Sequence, residues 1–177
     1  GADSLLALGR AARSDKTVRG LPLRVLPLDV WHTASVGIDL WLSAFAYGAS
    51  QVWVLMTDEE APEYRAAVEE QMAIAEAILQ GLGFTGEHLR IVTAASVTQL
   101  DAALRCPPAA TVAQPGTFSV QTDKRATLDL AIDSLLSQAQ HTPEAIALPE
   151  ASEYSTSPFG SLLVDTSKCT MCLSCVG

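Results

Sequence analysis

Short and long apolar stretches alternate along the first 140 residues, and their lengths separate predicted strands from predicted helices. The runs of strand length are residues 21–30, 50–57 and 88–96. Apolar residues recur every three or four positions in longer stretches, which predict helices over residues 2–15, 33–48, 62–83 and 97–106. A last helix is predicted after Thr122, with an apolar stripe formed by Leu128, Ala131, Ile132, Leu135, Leu136 and Ala139.

The order of these elements predicts an α/β fold in which helices flank a parallel sheet, because strand–helix–strand units with short connections form parallel sheets. Pro22 and Pro27 suit an edge or a loop better than a central strand. We assign residues 1–140 to this domain. Residues 141–168 are predicted to be a linker, and residues 169–177 the start of a separate cysteine-rich module.

Overall charge restricts the classes of partner. The chain has 11 Lys and Arg against 20 Asp and Glu, a formal charge of −9, which argues against nucleic acid or an anionic membrane surface. A partner with a basic face is one explanation of this acidity, and simple solubility is the other. The longest apolar run, residues 34–49, is too short to span a membrane and contains Asp39, so no membrane insertion is expected.

Three cysteines near the end of the chain carry the clearest chemical signal. Cys169, Cys172 and Cys175 follow the spacing C-x2-C-x2-C, which brings three thiolates around a small object and is typical of a [4Fe–4S] cluster. Zinc sites place their C-x2-C pairs far apart instead. The spacing predicts a fourth cysteine two positions beyond Gly177, so we expect a fragment of a longer protein that does not hold the cluster by itself. Such cysteine usage indicates a reducing compartment, with the cytoplasm as the expected location.

A second candidate site follows the first predicted strand, where a helix start offers unpaired amides to an anion. Its residues are Trp31, His32, Thr33, Ser35 and Gly37. They could form a contact for a partner or bind a nucleotide or other anion, although a glycine-rich phosphate loop is absent from the sequence and Asp29 and Asp39 oppose a phosphate. His32 could also be a hydrogen-bonded structural residue.

Two further features each have a functional and a structural interpretation. Asp58, Glu59 and Glu60 could bind a divalent ion or form a solvated acidic loop before a helix. Cys106 could be a ligand or redox partner, or a small apolar residue of a core or loop.

The segment PFGSLLVDTSKCTMCLSC resembles the entry to a bacterial-type ferredoxin domain, in which an apolar strand ending in Val-Asp leads through Lys-Cys-Thr into the cluster loop. Residues 36–104 resemble the delta-subunit domain of methyl-viologen-reducing hydrogenase. That resemblance rests on GIDLWLSAFAYGASQVWVL and on YRAAVEEQMAIAEAILQGLGFTGEHLRIVTAAS. It implies a flavodoxin-like three-layer sandwich and a place in an electron-transfer assembly.

The chain departs from the hydrogenase family at its cluster. The family's cysteines follow its first two strands, where this chain has VWHTAS and LMTDEEAPEY. The combination is similar to multidomain 4Fe–4S ferredoxin-type proteins of proteobacteria. It implies a cluster-free docking or scaffold domain that serves a redox partner or neighbouring ferredoxin modules, with no catalysis by this chain itself.

Overall fold

A computed structural model describes residues 2–57, 60–139, 142–150, 157–160 and 164–172. In this part of the chain five α-helices and two strands form a mixed α/β fold. The helices are α1 (Ala2–Ser14), α2 (Ile38–Ala46), α3 (Pro62–Gly81), α4 (Val97–Ala103) and α5 (Lys124–Leu136), with a 3-10 turn at Thr33–Ser35 before α2. The strands are β1 (Val52–Met56) and β2 (Leu89–Thr93).

The two strands pair in parallel, from Val52 opposite Leu89 to Met56 opposite Thr93. Helix α3 connects them, as a parallel pair requires. Pro62 lies in the first turn of α3, where its missing N–H leaves no helical bond unmade. These elements confirm the predicted strand–helix–strand unit.

The side chains of the sheet alternate between two apolar clusters. Val54, Met56 and Leu89 belong to the larger cluster, together with buried residues of α2, α3 and α5. Its largest fully buried side chains include Trp41 and Phe45 of α2. Each such side chain contributes about 1.5–3 kcal/mol by leaving water, so this cluster holds most of the domain's apolar stabilisation.

A smaller cluster covers the other face of the sheet. Its buried centre is formed by Leu8 of α1, Val92 of β2, Leu100 of α4 and Leu104, the residue that follows α4, and Trp53 packs against it from β1. Helices therefore lie on both faces of the paired strands.

Hydrogen bonds between α3 and the start of β2 fix where this strand begins. The Glu76 carboxylate on α3 accepts the backbone N–H groups of His88 and Leu89, each at 3.1 Å. The His88 ring is fully buried, with Nδ1 3.1 Å from the Ser50 carbonyl oxygen and an edge-to-face contact with Phe45 at 4.8 Å. These contacts fix the positions of α2, α3 and the starts of both strands relative to one another, and so fix the register of the strand pair.

The predicted strand over residues 21–30 is wrong. Residues 21–31, here called the ribbon, make no ladder bonds with the described strands. Pro22 and Pro27 cannot donate to a ladder, and the Val25 amide turns back to the Pro22 carbonyl at 2.9 Å. The chain therefore bends where a strand must stay extended.

The ribbon is nevertheless anchored at its beginning. Asp101 of α4 accepts the Gly20 amide at 2.8 Å and pairs with Arg105 at 2.6 Å, and Arg105 also donates to the Gly20 carbonyl. Arg24 donates to the carbonyls of Leu104 and Cys106 at 3.2 and 2.5 Å. These bonds attach the start of the ribbon to the end of α4.

Two helix starts also differ from their predictions. Gly37 is the N-cap of α2, whereas Thr33 and Ser35 lie in the preceding 3-10 turn. Helix α5 is capped by Asp123 rather than Thr122. The Asp123 carboxylate accepts two free amides and places negative charge at the positive end of the helix, so it caps better than a hydroxyl.

A two-stranded sheet is smaller than the predicted flavodoxin-like three-layer sandwich requires. The apolar run before the cysteines does not add a strand within the described residues, since residues 161–163 lie outside them and residues 164 and 165 are not in a strand. Across the described chain, no helix is both long and apolar enough to cross a membrane.

Part of the predicted linker packs on the domain. Residues 142–150 and 157–160, here called the strap, bring Ile146, Leu148 and Phe159 against the larger cluster. A Cβ atom at Gly81 would lie 2.8 Å from Ile146 Cγ2, so the close approach at the end of α3 depends on glycine. These described residues of the predicted linker thus contact the hydrophobic core.

We expect Asp101→Asn to lower the free energy of unfolding by about 1–2 kcal/mol at neutral pH, because the charged partner of Arg105 is lost. Burial raises the pKa of Asp101, but hydrogen bonds from Arg105 and from the Arg19 and Gly20 amides outweigh it and hold that pKa below its ordinary value. The carboxylate therefore stabilises the fold above the unfolded pKa of about 3.9, and this contribution disappears as pH falls through the folded pKa.

Urea unfolding as a function of pH measures this effect. The difference in unfolding free energy between wild type and Asp101→Asn should shrink on acidification. Asp29→Asn, at an exposed ribbon position, is the matched control and should change little. A difference that stays constant down to acid pH would contradict the assigned role of Asp101.

We expect Ile146→Ser to release the strap, because the variant removes the side chain that packs against Gly81 and the larger cluster. A glutamate-specific protease should then cut after Glu144 and Glu150 several-fold faster. Ala147→Ser, at the exposed neighbouring position, is the control and should be cut at the wild-type rate. Equal cutting of all three proteins would show that the strap does not depend on this contact.

Candidate functional site

The carboxyl end of β1 brings the residues around His32 against the start of α3. His32 Nε2 lies 3.6 Å from Glu60 Oε2, and its ring meets Tyr64 edge to face at 4.8 Å. The 3-10 turn that follows His32 contacts both β1 and α3. The predicted grouping at this edge of the sheet is therefore present, with Glu60 and Tyr64 as additional members.

Both ring nitrogens of His32 face protein groups. Nδ1 accepts the Ala34 amide at 3.1 Å and so caps the 3-10 turn. Because Nδ1 accepts, the neutral ring carries its proton on Nε2, which points at the Glu60 carboxylate. This arrangement leaves no lone pair directed at a metal ion and favours the structural interpretation of His32.

The start of α2 is also filled by the protein. The Ile38 amide donates to Gln71 Oε1 at 3.3 Å, and a Cβ atom at Gly37 would lie 2.9 Å from that same oxygen. Gly37 therefore permits a close approach by Gln71 rather than by an external ligand. Ser35 Oγ donates to the His32 carbonyl at 2.6 Å, while Thr33 Oγ1 is buried and has no hydrogen-bond partner among the described residues.

A hollow of about 220 Å³ adjoins this helix start, and two cations border it. Lys124 Nζ donates to the Ser35 carbonyl at 3.5 Å. Arg125 donates to the Pro158 carbonyl at 2.6 Å and pairs with Asp129 at 3.3 Å. The sequence did not indicate these cations, because they follow the site by about 90 residues and reach it only through the packing of α5 on α2.

Trp31 projects from the end of the ribbon into solvent. Its side chain is fully exposed (101%), whereas Trp41 is buried in the core (1%). Large aromatic side chains in this situation are typical anchors of protein contacts. Trp31 is thus free to contact a partner without disturbing the hydrogen bonds of His32.

The described cysteines of the terminal segment lie on an exposed turn. Cys169 and Cys172 are both exposed, and between them Met171 adopts a left-handed backbone with φ of 54°. That conformation directs the Met171 amide at Cys169 Sγ, 3.4 Å away. A preceding turn, in which the Lys168 amide donates to the Asp165 carbonyl at 3.1 Å, leads the chain into this loop.

The remaining candidate ligands do not form a metal site in the described part of the chain. No group of three or more His, Cys, Asp or Glu side chains converges there. Cys175, Asp58 and Glu59 lie outside the described residues. Cys106 is half-buried beyond α4, where its carbonyl holds Arg24, in agreement with a structural position in a loop.

Comparisons with protein-family models, with curated proteins and with solved structures found no match to this chain. The resemblances to the hydrogenase delta subunit and to bacterial ferredoxins therefore remain predictions from the sequence.

Proposed function

We propose that this chain belongs to an iron–sulfur electron-transfer protein in which a cluster-free α/β domain serves a ferredoxin-type module. The spacing of Cys169, Cys172 and Cys175 carries the proposal, since three cysteines in series match a cubane site and not a structural zinc site. A bound [4Fe–4S] cluster would supply one-electron transfer. It also needs a fourth ligand beyond these three.

The exposed turn at the cysteines supports this assignment. Thiolates that bind a cluster must converge, and the left-handed Met171 turns the backbone between the first two of them. The Met171 amide aimed at Cys169 Sγ is a donor to a ligating sulfur, and such donors tune the reduction potential of iron–sulfur centres. The chain thus supplies both ligands and a hydrogen bond suited to a charged sulfur.

The α/β domain contributes a rigid base and a contact surface. Its two apolar clusters consist of hydrophobic side chains from helices and strands in the described residues. The strap returns to the carboxyl edge of the sheet, where Pro158 borders the same hollow as Ser35 and Gly37. A module attached after the strap would begin near this hollow, so we assign to this edge the contact with a redox partner or a neighbouring ferredoxin module.

The alternative function is binding of a nucleotide or another anion at the start of α2. Lys124 and Arg125 beside the hollow favour it. Against it, the first amide of α2 is taken by Gln71, Arg125 is engaged by Asp129 and Pro158, and Asp39 adds negative charge to the first turn. Electron transfer requires no ligand there, and we prefer it.

The proposal also includes the setting in which the protein works. A reducing cytoplasm suits thiolate ligands of a cluster, and the charge of −9 makes nucleic acid an unsuitable partner. We assign no catalysis to the chain itself, which would act as a component of an oxidoreductase system.

Anaerobic reconstitution of the full-length protein with iron and sulfide tests the cluster. We expect a brown protein with a cubane-type EPR signal on reduction. Substitution of Cys169, Cys172 or Cys175 by Ser should remove most of the iron, because each supplies one thiolate. Cys106→Ser is the matched control and should keep the iron.

Metal analysis and thermal unfolding complete this test. Chelation should remove the cluster and leave the unfolding of the α/β domain unchanged, since hydrophobic side chains form its main cluster and no group of three potential metal ligands converges in the described residues. Stoichiometric zinc without iron, or full iron in all three cysteine variants, would refute the proposed site.

We expect Trp31→Ala and Trp31→Ala/His32→Ala to slow electron delivery to protein acceptors about tenfold, as for loss of a central contact residue. Stopped-flow reoxidation of the reduced full-length protein by an extract of its source measures this rate. Cluster content and reoxidation by a small dye should stay constant. Leu136→Ala, an exposed apolar position at the far end of α5, is the control.

Unchanged reoxidation by the extract in a correctly folded Trp31→Ala protein would exclude this surface. Slower reoxidation by the dye as well would instead indicate damage to the cluster.

A further inference from the structure

Although the chain is acidic overall, the stretch from the end of α1 to the start of the ribbon is basic. Residues 10–24 contain five of the 11 Lys and Arg residues and one of the 20 acidic residues, a formal charge of +4 in a chain of −9. The cations are exposed, and they are Arg10, Arg13, Lys16, Arg19 and Arg24.

Four of these cations have no carboxylate partner within the described residues. The described ion pairs involve other cations, and Arg24 is bound by backbone carbonyls. Asp15, the acidic residue of this stretch, is engaged by the amide and hydroxyl of Thr17 at 2.8 and 2.7 Å, which lowers its pKa. The positive charge of Arg10, Arg13, Lys16 and Arg19 is therefore available to a partner.

The ribbon continues this stretch with large apolar side chains in solvent. Leu23 is fully exposed (105%), Leu26 and Leu28 are 80% and 72% exposed, and Trp31 at its end is 101% exposed. Exposed apolar residues are ordinary when scattered, but four within nine residues form a patch of the kind found at contact sites.

The segment that carries this patch is anchored to the α/β domain. Val18 and Val25 pack on the smaller cluster, and Arg24 ties the ribbon to the end of α4. The exposed leucines therefore project from an anchored segment, and a partner would not have to order the whole ribbon on binding.

We propose that this basic–apolar face, formed by Arg10, Arg13, Lys16, Arg19, Leu23, Leu26, Leu28 and Trp31, docks an acidic surface of a partner protein. The inference rests on the proposed docking role of the domain and specifies the partner's chemistry. Unpaired cations attract and orient an acidic partner, and the leucines and Trp31 provide the apolar contact that holds it.

A protein partner fits this face better than a lipid surface. The ribbon has no ladder bonds to the described strands, so backbone groups that a membrane contact moved into hydrocarbon would lose their hydrogen bonds to water.

Fluorescence anisotropy of the full-length protein with labelled peptides tests the proposal. The probe is an extended peptide of Asp, Glu, Leu and Trp. A peptide with Lys in place of the acidic residues and one with Gly in place of Leu and Trp are the comparison probes. We expect binding of the acidic apolar peptide only, weakening as salt rises from about 0.05 to 0.5 M.

Substitutions in the basic–apolar face test whether the peptide binds there. Arg13→Glu/Lys16→Glu should weaken it about tenfold, and Leu26→Ser/Leu28→Ser should weaken it similarly at all salt concentrations. Lys168→Glu, an exposed cation elsewhere, is the control and should bind as wild type. Circular dichroism must show unchanged folding, which the exposure of these side chains leads us to expect.

Three results would overturn the proposal. The first is absence of selective peptide binding, and the second is equal binding by wild type and the face variants. The third is stronger binding to phosphatidylserine vesicles than to the acidic peptide, which would make the face a lipid contact. A Cys169→Ser/Cys172→Ser protein should still bind the peptide, so failure of the cluster assignment and failure of this inference are distinguishable.

Discussion

The rest of the fold depends on the polar contacts between α3 and the start of β2. Two five-residue strands form few ladder bonds, and an isolated pair of that length would be marginal in water. The Glu76 carboxylate accepts two amides at the start of β2, while the buried His88 ring reaches the chain just before β1. These polar bonds prevent a slip by one residue, which would exchange the side chains of the two apolar clusters.

The sequence predicts the interior of this domain well and its margins poorly. Helix α3 is confirmed because its apolar stripe, its first-turn proline and its terminal glycines all favour the same helix. The strand at residues 21–30 is wrong because its composition is apolar whereas its prolines remove the donors that a ladder needs. The composition of a segment indicates whether it tends to be buried. Whether it pairs as a strand depends on neighbouring strands, which its composition does not specify.

The candidate site shows the same division. Proximity in sequence was enough to group Trp31, His32 and Ser35, which do lie together at the sheet edge. The partners that determine their chemistry, Glu60, Gln71 and Lys124, come from other elements, and only tertiary packing brings them near. A net charge of −9 likewise suggested a basic partner, although the exposed cations near α1 are segregated from the acidic remainder of the chain.

The anchored strap has a consequence for how strongly the cysteine segment that follows it must attract the α/β domain in order to stay on it. Eight residues lie between Gly160 and Cys169, a reach of at most about 32 Å when fully extended. Confinement to that radius corresponds to an effective concentration in the millimolar range. A weak attraction between the cysteine segment and the carboxyl edge, with a dissociation constant in the millimolar range, would then keep the two in contact for much of the time. An external partner would have to compete with this contact.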